Sequence, residues 1–164
     1  MTFDPQSPRD PVPYEITMQG LTVEVPVGWE ARIQHSTAEE SGARRFPIMH
    51  AATVPLAANR ADYGGGVVEK LGGSDVFVSL IEFGDEAVGS ALYEPVDALP
   101  TITPDMLHPF QLQRRLAGQA GVQRFFTLEG RAFCLYVVIG SFGRRIELTA
   151  RANVMIANMS VAPR

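Results

Sequence analysis

The alternation of apolar and polar residues predicts two strands near the start of the chain. In LTVEV, residues 21–25, every second residue is apolar, as in a strand with one buried face. Pro26 and Gly28 break this strand, because proline lacks a ladder donor and glycine tolerates positive φ. The alternation resumes at Trp29, a predicted core anchor, and continues to Ile33. The pattern therefore predicts two antiparallel strands joined by a tight turn.

Three later apolar stretches predict further strands. Residues 47–54 form one strand, which Pro55 ends. DVFVSLIEFG, residues 75–84, is apolar at both odd and even positions, which is typical of a central strand covered on both faces. GVQRFFTLEGRAFCLYVVIG, residues 121–140, predicts a β-hairpin around Glu129-Gly130 whose second strand is deeply buried.

The end of the chain has a helical period. Between residues 144 and 158, apolar residues recur at intervals of three and four residues, which predicts an amphipathic helix. The residues of this row are Ile146, Ala150, Val154 and Ala157, joined by Met155 and Met159. Strands joined mainly by hairpins, with helices set to one side, predict an α+β fold. We expect an antiparallel β-sheet with helices packed on its faces.

Length and composition predict a single globular domain. The chain has 164 residues, of which 46% are hydrophobic and 20% are charged. It contains no apolar run near the roughly 20 residues that a membrane-spanning helix needs. Residues 1–14 hold four prolines and predict a flexible tail before a domain at 15–164. This tail lacks the basic and apolar regions of a signal peptide.

Charge and cysteine content narrow the expected partners and compartment. The net charge of −4 provides no electrostatic surface for nucleic acid, so neither nucleic acid nor a membrane is a predicted partner. Cys134 is the single cysteine and permits no disulfide within the chain, which is typical of a reducing compartment. We therefore predict a cytoplasmic protein. The basic residues are 13 Arg and one Lys, a bias common in proteins from GC-rich genomes.

The stretch DYGGGVVEKLGG, residues 62–73, has the glycines but not the spacing of a phosphate-binding loop. A P-loop lysine is followed by Ser or Thr, whereas Lys70 is followed by Leu71. The dinucleotide fingerprint fails as well, because its third glycine is missing. We instead predict a two-turn helix that Asp62 caps and a left-handed Gly72-Gly73 ends. The three consecutive glycines then allow close approach to a neighbouring element.

The residue types of catalytic chemistry are present without forming a recognised set. His35, His50 and His108 lack metal-ligand spacing, so no metal or other cofactor is predicted. His50 is predicted to be a packed strand residue, and His108, in a long loop, is the better functional candidate. Ser141 lacks the glycine spacing of a nucleophile elbow and is predicted to be a helix N-cap. Cys134 is predicted to be a buried, unreactive thiol.

Residues 84–117 form a long loop insertion without a sustained hydrophobic period. Connections of this length inside a compact domain are usually functional or mobile. Within it, TPDML predicts one helical turn with Thr103 as N-cap and Pro104 in the first position. Aromatic and methionine side chains on a loop suit an interface or a lid, and the candidates are Tyr93, Met106, Leu107, His108 and Phe110.

Three motifs resemble the Mog/PsbP-like fold family, including its LpqN-type actinobacterial relatives. They are LTVEVPVGW, which ends in Pro26 to Trp29; GRAFCLYVVIGS, with the hairpin pair Gly130-Arg131; and RANVMIANMSV. The resemblance covers residues 20–83 and 118–162. It implies an antiparallel sheet with helices on its faces, a final helix followed by a short closing strand, and a mostly non-catalytic binding or assembly role. The sequence lacks the signal peptide and lipobox cysteine of the lipoproteins.

These observations lead to competing functional hypotheses. The first is a cytoplasmic, non-catalytic binding or accessory module that contacts another protein through residues 84–117. The second is a small-molecule-binding protein or small enzyme in which residues 84–117 form a lid, with His108 or His50 as a polar group. Self-association through an exposed strand edge is a third hypothesis.

Overall fold

The computed structural model describes residues 12–36 and 46–164, so the first eleven residues of the predicted tail lie outside the described part. The described residues form eight strands and one α-helix: β1 Tyr14–Met18, β2 Leu21–Val25, β3 Glu30–His35, β4 Pro47–Ala52, β5 Val76–Glu82, β6 Ala120–Leu128, β7 Arg131–Ile139, α1 Arg145–Ala157 and β8 Met159–Val161. They build a three-stranded sheet, β1-β2-β8, and a five-stranded sheet, β3-β4-β5-β7-β6, and every pairing is antiparallel. The α+β expectation is therefore correct only in its coarse form. The fold is mainly β, with two sheets in place of one.

The first two predicted strands exist, but they do not pair with each other. β2 lies between β1 and β8, whereas β3 pairs with β4. The turn between β2 and β3 closes with a 3.2 Å hydrogen bond from Trp29 N–H to the Pro26 carbonyl, and Gly28 has a φ of +88°. This turn leads the chain from one sheet into the other. Alternation predicts a strand but not its partner, so the predicted hairpin was wrong.

The central strand and the second hairpin are confirmed. Every residue of β5 is buried, and the strand lies between β4 and β7. The first face of β5, which carries Val78, packs against α1 in the main core, and this core also includes buried residues of the three-stranded sheet. Its second face, marked by Ser79, is covered by loops, which replace the predicted second layer of helix. Glu129 and Gly130 both have positive φ, the conformation of a type I′ hairpin turn.

The helix is present, but the predicted apolar row of Ile146, Ala150, Val154 and Ala157 is wrong, and only the added Met155 and Met159 are buried. Ile146 is 75% exposed and Val154 is 53% exposed. The buried side chains of α1 form another row at helical spacing: Leu148, Thr149, Ala152, Met155 and Ile156. Two apolar rows fit the same period, and packing against β5 and β7 selects the one with the bulkier side chains. Ser141 precedes the 3-10 turn Phe142–Arg144, but its side chain makes no capping hydrogen bond.

Residues 84–117 lie along the free edge of β6. Thr127 exchanges backbone hydrogen bonds with Glu94 and Val96 at 3.0 and 2.9 Å, and Gly121 exchanges two with His108 at 2.9 and 3.1 Å. The segment therefore covers an edge that would otherwise be open to another chain. The predicted helical turn is the 3-10 turn Pro104–Met106.

The buried side chain of Arg131 in β7 joins the two sheets, and Glu82 of β5, its partner in an ion pair, also pairs with the partly exposed Arg164. Arg131 and Glu82 are 2.6 Å apart, and their side chains are 2% and 0% exposed. Arg131 also donates to the carbonyls of Gln19 and Ala162, at 2.8 and 3.0 Å, next to the two ends of the small sheet. These charge-assisted hydrogen bonds of Arg131 hold the small sheet against β5 and β7.

Candidate ligand-binding cavity

One polar side chain from each strand of the five-stranded sheet lies in a single row across the second face. The strand register places Arg32 opposite His50, His50 opposite Ser79, Ser79 opposite Tyr136, and Tyr136 opposite Gln123. Residues that are directly opposite in an antiparallel pair point to the same face. Loops cover this row, so its polar groups need partners from the loops.

His50 and Ser79 hold the loop that crosses above them. His50 Nε2 lies 2.8 Å from the Asp62 carbonyl oxygen, and the Ser79 hydroxyl donates to the same oxygen at 3.1 Å. Arg60 Nε donates to His50 Nδ1 at 3.1 Å. These partners assign the proton to Nε2, because a carbonyl only accepts and a guanidinium only donates. Burial lowers the pKa of His50 to about 4, so it is a neutral, packed residue, as expected, with both ring nitrogens occupied.

The glycine-rich stretch continues this loop and differs from its prediction. It contains a single 3-10 turn, Val68–Lys70, whose N-cap residue is Val67 and not Asp62, and Gly72-Gly73 lacks positive φ. Gly64 instead has a φ of +84°, and a Cβ there would lie 2.6 Å from the Phe77 ring. The predicted close approach of glycine to a neighbouring element is therefore confirmed, and the predicted two-turn helix is wrong.

A cavity of about 250 Å³ lies between this loop and residues 111–119. Its lining includes Tyr136 from β7 and Tyr63 from the loop, whose rings meet edge to face with centroids 5.3 Å apart. Arg114 and Glu69 also line it and form an ion pair at 3.4 Å. The remaining lining side chains are mostly aliphatic: Ala61, Val68, Leu112 and Val138. This combination of apolar walls and a few polar groups is typical of a small-molecule site.

Two hydrogen-bonding groups of the cavity lining are unused. Gln119 is 5% exposed, and its Nε2 donates to the Val68 carbonyl at 2.7 Å, while its Oε1 accepts no hydrogen bond. The Tyr136 hydroxyl accepts from the Gln113 amide at 2.9 Å, and no described residue accepts its proton. A buried acceptor without a partner costs about 1–3 kcal/mol. The Oε1 atom has almost no accessible surface, so this cost lies within the packed wall beside the cavity.

Cys134 lies beneath Tyr63 and is not a nucleophile. It is fully buried, and burial raises the pKa of its thiol to about 12. Burial also raises the pKa of Tyr63 to about 12. Both groups are therefore protonated at neutral pH, which confirms the prediction of a buried, unreactive thiol.

Three of the five candidate residues in the long segment pack inward. Leu107 is fully buried in the main core, which removes it from any contact surface. Met106 is half-buried against the same core. Tyr93 is half-buried between Phe83 and Phe125, with ring centroids 5.8 and 5.6 Å away. These side chains fasten the segment to the sheet.

The other two candidates are exposed. Phe110 is 79% exposed, with the Arg115 guanidinium 4.2 Å from the centre of its ring. His108 is exposed, and its backbone pairs with Gly121. Neither side chain lines the cavity above Tyr136, so the structure does not bring the five candidates together at one site.

A second concave surface lies beside β8. It is an open groove of about 550 Å³, bounded by residues 97–101, the β6–β7 turn and the end of α1. Asn158 and Ala162 bond to β2 on one side of the strand, so the alternation of an antiparallel ladder turns the backbone groups of Met159 and Val161 away from β2. No described residue pairs with these outward groups, so this edge of the small sheet is open.

Sequence reasoning missed the cavity residues for different reasons. Tyr136 interrupts an apolar strand at a second-face position, as Ser79 does in the neighbouring strand, and this signal was visible in the sequence. Tyr63 was hidden inside the glycine-rich stretch. Gln119 had no signal in the sequence, because its place in the cavity wall depends on the hydrogen bond from its Nε2 to the Val68 carbonyl, which forms only in the folded chain.

Comparisons with known proteins provide no family assignment. No family model, curated protein or solved structure matches the chain. The resemblance to the Mog/PsbP-like family therefore stays a prediction. Within residues 12–36 and 46–164, no helix has the length and apolar character to span a bilayer, and no group of three or more His, Cys, Asp or Glu is placed to hold a metal ion.

Proposed function

We propose that the protein is a non-catalytic binding module that holds a small molecule in the cavity above Tyr136. The observation that carries the proposal is the cavity of about 250 Å³, whose lining joins the Tyr63 and Tyr136 rings to aliphatic side chains. Apolar walls with a few polar groups are typical of a site that binds a small molecule.

The side chains around the cavity favour binding over catalysis. Both nitrogens of His50 are engaged in holding the loop, and burial keeps the Cys134 thiol protonated. Burial also raises the pKa of Tyr63, so its hydroxyl stays protonated at neutral pH. The polar groups that are left can orient a ligand by hydrogen bonding, without a group poised for proton transfer at neutral pH.

A fragment screen by thermal shift tests this proposal. A ligand that binds the native state and not the unfolded state raises the melting temperature, and the rise grows with the ratio of ligand concentration to Kd. Leu112→Trp fills the cavity from its wall, and Leu92→Trp adds the same side chain at a site that is 59% exposed. Fragments should stabilise the unaltered chain and Leu92→Trp but not Leu112→Trp. Fragments that stabilise all three equally, or none that stabilise the unaltered chain, would refute the proposal.

A second candidate function is contact with another protein at the groove beside β8. The specific observation is the open backbone edge at Met159 and Val161, next to residues 97–101 of the segment predicted to make such contacts. An extended segment of a partner can add a strand to such an edge. Asp97 and Glu129 line the groove and no Lys or Arg does, so a partner segment with basic residues fits best.

Val161→Pro tests this second function. Proline at this position removes an N–H that faces the groove and leaves the bonds of Asn158 and Ala162 to β2 in place. Partner capture by the unaltered chain should be lost in the variant, while the melting temperature stays close. Light scattering separates this outcome from self-association, in which the mass of the purified chain itself would fall on substitution.

A further inference from the structure

We infer that the groove beside β8 takes an extended segment of another protein, with a Lys or Arg at the end next to Val161 and an apolar side chain in the middle. The segment adds to the small sheet as a fourth strand. This inference rests on the second candidate function, since it assigns a partner chemistry to the same groove. The backbone edge, the fixed walls and the position of the charges each support it.

The free backbone edge of β8 faces away from β2. The backbone bonds that tie β8 to β2 are made by Asn158 and Ala162, at 3.0 and 2.8 Å. Such bonds recur at every second residue of an antiparallel ladder, so the N–H and C=O groups of Met159 and Val161 point to the opposite side of the strand. Both residues line the groove, and no strand among the described residues pairs with this side.

The wall opposite β8 is fixed at both ends. Residues 97–101 begin beside β6, where the N–H of Val96 donates to the Thr127 carbonyl at 2.9 Å. They end at α1, where the Asn153 side chain bonds the N–H and the carbonyl of Ile102 at 3.0 and 2.8 Å. An entering segment therefore meets a groove that is already formed, which lowers the cost of ordering the site on binding.

The two acidic side chains of the groove lie at its Val161 end. Glu129 is in the β6–β7 turn, two residues before Arg131, whose guanidinium donates to the Ala162 carbonyl at 3.0 Å. Asp97 immediately follows the residue that is bonded to the end of β6. The described lining residues include no Lys or Arg. A basic side chain at this end of the partner segment is therefore attracted by two carboxylates.

The other end of the groove is apolar. Its lining there includes Leu99, Ile156 and Ala157, and Ile156 belongs to the main core. Successive side chains of a strand point to opposite faces of the sheet. An apolar side chain in the middle of the segment is buried against these residues, while its neighbours point to solvent on the same face as the exposed Ser160.

A second copy of the chain fits the groove less well than another protein. The β8 strand of the second copy holds no basic residue that could meet Asp97 and Glu129. Each copy also has a net charge of −4, so two copies joined at this edge would repel each other. The charge of the groove therefore favours a basic segment from a different protein.

Two matched peptides test the charge requirement, Lys-Val-Thr-Val-Lys and Glu-Val-Thr-Val-Glu, each capped at both ends. Their side chains read the same in both directions, so either strand direction places a charged residue at the acidic end. An NMR titration of the isotope-labelled chain should shift the amide signals of β8 and show the basic peptide binding about tenfold more tightly at low salt. Asp97→Asn combined with Glu129→Gln should reduce this ratio to within about threefold.

A third peptide and two variants test the backbone requirement. N-methylation of the amides of the central Val-Thr pair keeps the charge of the basic peptide and removes one N–H from each edge of the strand. Binding of this peptide should fall about tenfold. Val161→Pro should weaken the basic peptide to a similar degree, whereas Val161→Thr, which keeps the N–H and the branched side chain, should leave its Kd within about twofold.

The outcomes separate the partner chemistry from the second candidate function. Equal binding of the basic and acidic peptides would overturn the charge requirement while strand addition stands. If no peptide binds but partner capture still depends on Val161, the basic segment is wrong and the groove remains a contact surface. If capture is also insensitive to Val161→Pro, the second candidate function fails. A purified chain whose mass falls on this substitution would identify a second copy as the occupant. The peptide comparison uses the unaltered chain, so it holds even if the proline variant does not fold.

Discussion

The buried neutral state of His50 makes a quantitative prediction about stability and pH. Burial lowers its pKa from 6.5 to about 4, with the Arg60 guanidinium lowering it further and the Asp62 carbonyl bond acting in the opposite direction. In the unfolded chain the imidazole takes up a proton near its ordinary pKa, whereas in the folded chain it does so only near pH 4. The unfolded state therefore binds more protons between these values, and stability falls as the pH falls.

The magnitude follows from the size of the shift. At roughly 1.4 kcal/mol per pKa unit, the displacement of His50 corresponds to about 3 kcal/mol of stability. This contribution is complete above pH 6.5, is lost progressively as the pH falls towards 4, and changes little below that. A loss of this size is a large fraction of the 5–15 kcal/mol that is typical of a domain.

Urea unfolding measured between pH 7.5 and 4 provides the assay. The single tryptophan, Trp29, packs against the main core and reports unfolding by fluorescence. Carboxylates titrate over part of this range, so the reference is His50→Gln, whose amide can donate to the Asp62 carbonyl and takes up no proton. The difference in unfolding free energy between the two chains isolates the histidine.

We expect the difference in unfolding free energy to be constant above pH 7. Between pH 7 and pH 4 the unaltered chain should lose about 3 kcal/mol of stability relative to His50→Gln. Parallel curves for the two chains would show that His50 titrates equally in both states. That result would refute the buried Nε2-protonated arrangement and the loop anchoring inferred from it.

Three further substitutions test the packing. Arg131→Met should lower the unfolding free energy in urea by about 1.5–3 kcal/mol, because it removes the buried charge-assisted hydrogen bonds to Glu82 and leaves that carboxylate with Arg164 as its remaining partner, and replacing both Arg131 and Glu82 should cost less. Gly64→Ala should cost about 1–3 kcal/mol more than Gly28→Ala, since both positions have positive φ but only the first meets a ring; equal costs would argue against the close approach. Leu107→Ala should cost about 2–5 kcal/mol and Phe110→Ala under about 1 kcal/mol, and the reverse order would mean that the segment packs differently.

The features that local sequence determines were predicted well. The apolar run of β5, the Glu129-Gly130 turn and the period of α1 depend on neighbouring residues, and all three are present. The helical period of α1 was correct, but two rows of apolar residues fit it. Packing against the sheet determines which of the two rows is buried.

The features that long-range pairing determines were not predictable. Nothing in the alternation of residues 21–25 shows that this strand pairs with β1 and β8 in place of β3. The cavity has the same origin. Gln119 and Val68 are far apart in the chain, and their hydrogen bond exists only because two loops meet over Tyr136.

The order of strands in the small sheet has a consequence for how the chain folds. β2 pairs with β8, and the partner of Leu21 in this pairing is Val161, 140 positions later in the chain. The small sheet is therefore complete only when these distant residues meet. Closing so long a loop is entropically costly, and contacts between distant positions slow folding. The β6–β7 hairpin, by contrast, joins neighbouring strands across a two-residue turn. We expect this hairpin to form early and the small sheet last, so a chain still emerging from the ribosome would hold the apolar side chains of β2 uncovered until synthesis reaches β8.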